Sequence, residues 1–201
     1  MIDSALPAVY VVDDDAALRD SLRWLLESAG HRVAAYASAE AFLAAHSAEQ
    51  GGCLLLDIRM PGMSGPELQN RLKRRGRAIP IVFITGYGDV PMAVNAVKKG
   101  AFDFIEKPFN DQALLVLIDN ALAIDAEARR AAARFETLTR RERKVMKRIV
   151  AGKRNQDIAA ELTISIKTVE AHRAAVMQKT GVDSLAALVK LVQSAGAPRR
   201  K

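Results

Sequence analysis

The chain has 201 residues, half of them hydrophobic, with one cysteine and a net charge of +7. That length suits two small domains or one larger one; no apolar run approaches the roughly 20 residues of a membrane-spanning helix, and a lone cysteine excludes an internal disulfide. The charge is divided, because residues 1–125 hold 12 Lys/Arg against 16 Asp/Glu while residues 126–201 hold 18 against 7, which suits the second part to a polyanionic partner.

The start, Met1–Ala5, lacks the basic opening and apolar stretch of a secretory signal. With no membrane segment either, a cytoplasmic location is expected. Short apolar runs then alternate with helical patterns. Val9-Tyr10-Val11-Val12 reads as a buried strand; Leu18, Leu22, Leu25 and Leu26 follow at helical spacing, and Gly30 closes that helix. Further strands are predicted at Arg32–Tyr36, Cys53–Leu56, Ile81–Ile84 and Phe102–Ile105, separated by helices over about 38–47, 65–75, 89–99 and 111–124. Cys53, inside its apolar run, reads as a small core residue and not a reactive thiol. Five strands alternating with five helices imply an α/β fold over residues 1–125, a five-stranded doubly wound parallel sheet covered on both faces.

Residues 126–136 are rich in Ala, Arg and Glu, with little apolar periodicity, and read as a helical linker into which the fifth helix can run. From 137 to 195 only helices are indicated, giving an all-α, four-helix domain. Thr139-Arg140-Arg141-Glu142 is a capping box. The helix it opens turns Val145, Met146, Ile149 and Val150 inward, and Gly152 ends it. Asn155 is expected to cap a second short helix carrying Ile158, Ala159 and Leu162, with a turn at Thr163-Ile164. Ser165 caps a third helix, to about Thr180, and Ser184 a fourth with Leu185, Leu188, Val189 and Val192 inward. The tail from Ala195 to Lys201 is small, basic and expected to be disordered.

In an open parallel sheet, ligands bind beyond the carboxyl ends of the strands. Here those ends carry Asp13-Asp14-Asp15, Asp57, Thr85-Gly86 and Glu106-Lys107-Pro108. Carboxylates so gathered repel unless a cation neutralises them, and an oxygen-only set with few protein groups suits Mg²⁺. A metal-shielded Asp is a nucleophile for a phosphoryl group, with Lys107 pairing with the anion and Thr85 donating to a phosphoryl oxygen. In the basic part, two short helices joined by a tight turn form a helix-turn-helix, whose second helix enters the DNA major groove. Val169, Val176 and His172 share its inward face. No second His or Cys lies nearby, so His172 is read as a packed residue and not a metal ligand. Arg173 is suited to guanine and Glu170 to cytosine. Lys153, Arg154, Lys167 and Lys179 are suited to phosphates, and Asn155, Ser165 and Thr168 complete the expected DNA-facing set.

Residues 8–120 resemble a response-regulator receiver domain. The matching pieces are Val12-Asp13-Asp14-Asp15, the run from Leu56-Asp57-Ile58-Arg59 to Gly65, Ile84-Thr85-Gly86, and Phe104-Ile105-Glu106-Lys107-Pro108-Phe109; the run Gly88-Asp89-Val90-Pro91-Met92-Ala93-Val94 is similar to FixJ-type regulators. The resemblance implies that Asp57 accepts phosphate from a sensor histidine kinase. It implies that Asp14 and Asp57 ligate Mg²⁺, with Asp13 acting partly through water and the Arg59 backbone carbonyl completing the set. Asp15 then faces elsewhere, and Lys107–Pro108 is cis. Thr85 and Phe104 form the implied switch, and the fourth helix with strand five the implied homodimer contact of the phosphorylated chain. Residues 137–193 are similar to LuxR/NarL-type DNA-binding domains. Leu138-Thr139, Arg141-Glu142-Arg143, Gly152, Asn155, Ile158-Ala159, Leu162, Ile164-Ser165, Thr168-Val169-Glu170, His172, Lys179 and Gly181-Val182 carry this likeness. Gln156-Asp157 stands where Lys-Glu is commoner, which removes one basic side chain. Together the two likenesses imply a phosphorylation-switched transcription regulator that is not an enzyme, with double-stranded DNA, a kinase and RNA polymerase as candidate partners. An aspartyl-phosphate phosphatase is the alternative. It needs a second Asp two positions after the first as general acid, and Arg59 stands there. A regulator working without phosphate is opposed by the intact set Asp57, Thr85 and Lys107.

Overall fold

Five parallel strands form one sheet: β1 (Ala8–Val12), β2 (Arg32–Tyr36), β3 (Gly52–Asp57), β4 (Ile81–Thr85) and β5 (Asp103–Glu106), in the order β2-β1-β3-β4-β5. The computed structural model describes residues 8–47, 50–75, 79–86 and 90–195. Met1–Ala5, Gly88, the expected helix-opening Asp89, the side chain of Val90 and the tail from residue 196 lie outside the described residues. Helices α1 (Ala16–Ser28), α2 (Ala39–Ala45), α3 (Gly65–Arg74), α4 (Val90–Lys98) and α5 (Asp111–Glu136) follow the successive strands.

The apolar runs become strands because both faces of the sheet are covered. Along each strand alternate side chains serve opposite faces. Tyr10, Val12, Leu54, Leu56 and Phe83 join Phe42 of α2 and Leu68 and Leu72 of α3 in one cluster. Val9, Val11, Leu55, Val82 and Ile84 join Leu22 and Leu26 of α1 and Leu114 and Ile118 of α5 in the other. Each fully buried Leu, Ile or Phe contributes about 1.5–3 kcal/mol relative to exposure. Cys53 is buried in the second cluster, and that burial pushes its thiol pKa up, as a core residue requires.

The chain divides between Ala126 and Glu127 into two compact units. Helix α5 is continuous across that point, and the 126–136 stretch is helical throughout. Ala131 is buried and Phe135 packs against the core of the second unit. That unit comprises α6 (Arg140–Val150), α7 (Asn155–Leu162), α8 (Ile166–Thr180) and α9 (Leu185–Ser194) around Val145, Met146, Ile149, Ile158, Leu162, Val169, Val176 and Leu188. Thr139 and Glu142 form the expected capping box. The Ser165 hydroxyl accepts from the Thr168 N–H at 3.0 Å, and Ser184 from Ala187 at 3.2 Å. Two expectations change. The cap of α7 is Arg154, whose N–H donates to Asp157 Oδ2 at 3.3 Å, so Asp157 reaches back to do a cap's work and Asn155 becomes the first helical residue. Leu185 is exposed, because it opens α9 one turn before the core-facing Leu188.

Candidate functional site

Strand order reverses between β1 and β3, and the acidic residues stand at that switch point. Asp57 ends β3 and Asp13 follows β1; both are buried. Lys107 follows β5, is joined to Pro108 by a cis bond, and its backbone N–H donates to the Thr85 carbonyl at 2.8 Å. That link places its ammonium between the two carboxylates: Lys107 Nζ donates to Asp57 Oδ1 at 2.8 Å and to Asp13 Oδ2 at 3.2 Å. The Arg59 N–H donates to Asp57 Oδ2 at 2.7 Å, and the Asp15 N–H to Asp13 Oδ1 at 2.8 Å. Asp14 is exposed beside them, while Asp15 caps α1, accepting from Ala17 and Leu18. Gly65 must lack a side chain here, since a Cβ would lie 2.3 Å from the Asp57 carbonyl oxygen.

Burial pushes the Asp57 carboxyl above the ordinary aspartate value, and Asp13 adds to this against the opposing pull of Lys107 and the Arg59 N–H. Burial works to lower Lys107, yet the hydrogen bond and charge of Asp57, with Asp13, outweigh it and hold the ammonium above the ordinary lysine value. Thr85 is fully buried at the end of β4, with its hydroxyl donating to the Gly86 carbonyl at 3.3 Å. Phe104 is half-buried, paired in register with Phe83 of β4 and packed against the first core cluster. Among the described residues, no three His, Cys, Asp or Glu side chains are drawn together tightly enough to hold a metal by themselves.

In the second unit, α7 ends at Thr163 with a left-handed φ of 54°, and its N–H closes back onto α7 before Ser165 caps α8. On α8, Lys167, Thr168 and Glu170 are exposed, Arg173 and His172 are half-buried, and Val169 and Val176 face the core. Lys153 and Arg154 are exposed ahead of α7, and Asn155, its first residue, is half-buried. Two of the expected phosphate contacts are already paired. Lys179 Nζ donates to both oxygens of Glu142 at 2.9 and 2.8 Å, and Glu142 is held below the ordinary glutamate value by that bond first and by the Thr139 N–H. Lys153 is bonded to Glu161, which also takes Arg148 Nε at 2.8 Å. The lysine and then the arginine lower the Glu161 carboxyl.

The family pattern of response regulator receiver domains matches residues 9–119, and that of bacterial regulatory proteins of the luxR family matches residues 136–192. The transcriptional regulatory protein FixJ of Bradyrhizobium diazoefficiens is 47% identical over 195 residues, covering 94% of this chain and 95% of FixJ. The chain belongs to the two-component response regulators. The transcriptional regulatory protein TdiR of Thauera aromatica is 43% identical over 92% of this chain and 84% of its own length. The solved structure of the response regulator StyR superposes with a TM-score of 0.61 at 48% identity, covering 94% of this chain and 99% of StyR. This response regulator thus joins a receiver fold to a LuxR-type helical domain as a phosphorylation-dependent DNA-binding transcription regulator. No helix among its described residues is long and apolar enough to cross a membrane.

The partners of three carboxylates of this response regulator escaped the sequence reading. They are Glu142 with Lys179, Glu161 with Lys153 and Arg148, and Asp125 of α5, whose buried carboxylate accepts the Gly52 N–H at 2.8 Å. The Glu142 cap was visible in the sequence as a local motif. Its partner 37 residues away was not.

Proposed function

We propose that Asp57 is the phospho-acceptor and that its phosphorylation, taken from the histidine of a sensor kinase, governs dimerisation and DNA binding. The observation that carries this reading is the ammonium of Lys107 shared by Asp57 and Asp13 at 2.8 and 3.2 Å. One cation already bridges the carboxylates, so the pocket is built for positive charge and for the anion that charge would receive. Asp13, Asp14, Asp57 and the Arg59 carbonyl offer hard oxygens only, a set that fits Mg²⁺ with waters in its remaining positions. When bound, Mg²⁺ supplies charge neutralisation and alignment for the phosphoryl oxygens. A carboxylate oxygen of Asp57 attacks phosphorus, the P–N bond to the kinase histidine breaks, and the imidazole leaves with its electron pair. Lys107 turns to the new phosphoryl oxygens, and Thr85 donates its hydroxyl to one of them.

The basic unit then reads DNA with α8 in the major groove. Lys167, Thr168, Glu170 and Arg173 lie toward the bases; Lys153, Arg154, Asn155 and Ser165 lie toward the backbone, which Lys179 meets only by leaving Glu142. RNA polymerase is a further candidate partner. Acetyl phosphate or phosphoramidate with Mg²⁺ should add a single base-labile acyl phosphate to the full chain, read as one mass increment. EDTA and Asp57→Asn should each abolish it, and undiminished labelling of Asp57→Asn would move the acceptor elsewhere.

A further inference from the structure

We infer that Glu161 sets how tightly the second unit grips DNA, by holding Lys153 and Arg148 away from the phosphates they would otherwise meet. The inference deepens the reading of Lys153 as a backbone contact and rests on it. In a helix-turn-helix the first helix crosses the DNA backbone, and a helix N-terminus favours phosphate. Here that helix is α7, and Lys153 and Arg154 lead directly into it. Lys153 nevertheless does not extend toward that end. Its Nζ is bonded to Glu161 Oε1, in the last turn of α7. Glu161 stands six positions after Asn155, so the carboxylate that holds Lys153 belongs to a residue about 9 Å further along the helix axis than the helix start. The other oxygen of the same carboxylate takes Arg148 Nε from α6 at 2.8 Å. One carboxylate therefore engages two cations beside the helix that should meet the backbone.

The pairs are suited to exchange. The side chains of Lys153, Arg148 and Glu161 are 40, 26 and 36% exposed, and ion pairs this wet are weak. DNA offers a dense row of phosphates and gains from released counterions when a cation joins it. Glu161 is then a competitor that DNA must displace. Glu142 differs: its carboxylate is buried, holds Lys179 by two bonds and caps α6 through the Thr139 N–H at 2.7 Å, which makes it a fixed part of the fold.

The test is a salt titration of the full chain on a mixed-sequence duplex. Glu161→Gln should tighten binding by roughly 3–10-fold at low salt and steepen the slope of log K against log salt by up to about 1.8, since each new phosphate contact contributes about 0.9. Its melting temperature should not rise. The gain should vanish when Lys153→Gln and Arg148→Gln are added. If Glu161→Gln leaves affinity and slope unchanged while Lys153→Gln weakens binding, the inference is overturned and the reading of Lys153 stands. If Lys153→Gln changes nothing in either background, that reading fails and the inference with it. Tightening that persists in the triple variant would reduce Glu161 to simple repulsion of phosphate and would also overturn it.

Discussion

Asp57 sits at the end of β3 with a charge only partly answered. Lys107 and the Arg59 N–H each bond one oxygen, yet burial still raises its pKa. A raised folded-state pKa means that protonation favours the fold. The stabilisation by the protonated form is complete below the ordinary aspartate value and is lost as pH rises through the higher folded value. At neutral pH the ionised Asp57 carboxylate therefore costs the receiver stability. Asp57→Asn removes the charge at constant shape, and Asp13 remains as a partner for Lys107. We expect this variant to be more stable at pH 7 by about 1 kcal/mol, a rise of a few degrees in the receiver's melting transition. The gap should close as pH falls through the carboxylate range. A variant melting below the wild type at pH 7 would mean that pairing with Lys107 outweighs burial.

The turn between α7 and α8 concentrates strain in one residue. Thr163 holds φ at 54°, a conformation that costs an ordinary L-residue about 1–2 kcal/mol and a glycine almost nothing. Thr163→Gly should stabilise the second unit by about 0.5–1 kcal/mol after glycine's extra unfolded-state entropy is deducted, as thermal unfolding of the full chain would register. An unchanged or lower melting temperature would show that the threonine is held at no cost. This element was legible in outline. Thr163-Ile164 stood out as the turn between two helical patterns, but the sign of φ did not. The central strands β1, β3 and β4 were legible because parallel strands buried on both faces must be continuous apolar runs, whereas the edge strands β2 and β5 are only half-buried and carry Arg32, Asp103 and Glu106. The helix starts at Ala16, Arg140, Ile166 and Leu185 follow side chains able to cap them. The full length of α5 was harder to read. Beyond Ala126 it presents mostly alanine, arginine and glutamate, and Ala131 and Phe135 alone are too sparse to set a period. In the site, the strand-end residues were readable because topology dictates where strand ends gather. The pairings of Lys153 and Lys179 were not, since contact between charged side chains on different helices leaves no periodic trace.

At the scale of the molecule, an acidic receiver and a basic DNA-binding unit share one chain, and the chemistry of the first has to alter the second. A single helix-turn-helix offers a small interface, and two half-sites one DNA turn apart require a dimer. Phosphate-driven dimerisation would meet that need. Thr85 and Phe104 stand where such a signal could pass. Thr85 is buried at the end of β4, and Phe104 is half-buried on the neighbouring β5. If Thr85 swings its hydroxyl to a phosphoryl group on Asp57, Phe104 gains room to move inward, and the surface of α4 and β5 changes. That surface already carries exposed Met92 and Val94 on α4. Phosphate can shift the population only as far as it favours one arrangement over the other, so the coupling is measurable as a change in mass. Light scattering should show the wild type moving from monomer toward dimer on phosphorylation. Thr85→Ala should still take up phosphate, though more slowly, and remain largely monomeric. Phe104→Leu should also weaken the mass change, because the smaller side chain no longer signals which position it occupies. If both variants dimerised and bound DNA as the wild type does, the route through Thr85 and Phe104 would be wrong, and activation would have to run along the continuous helix α5 instead.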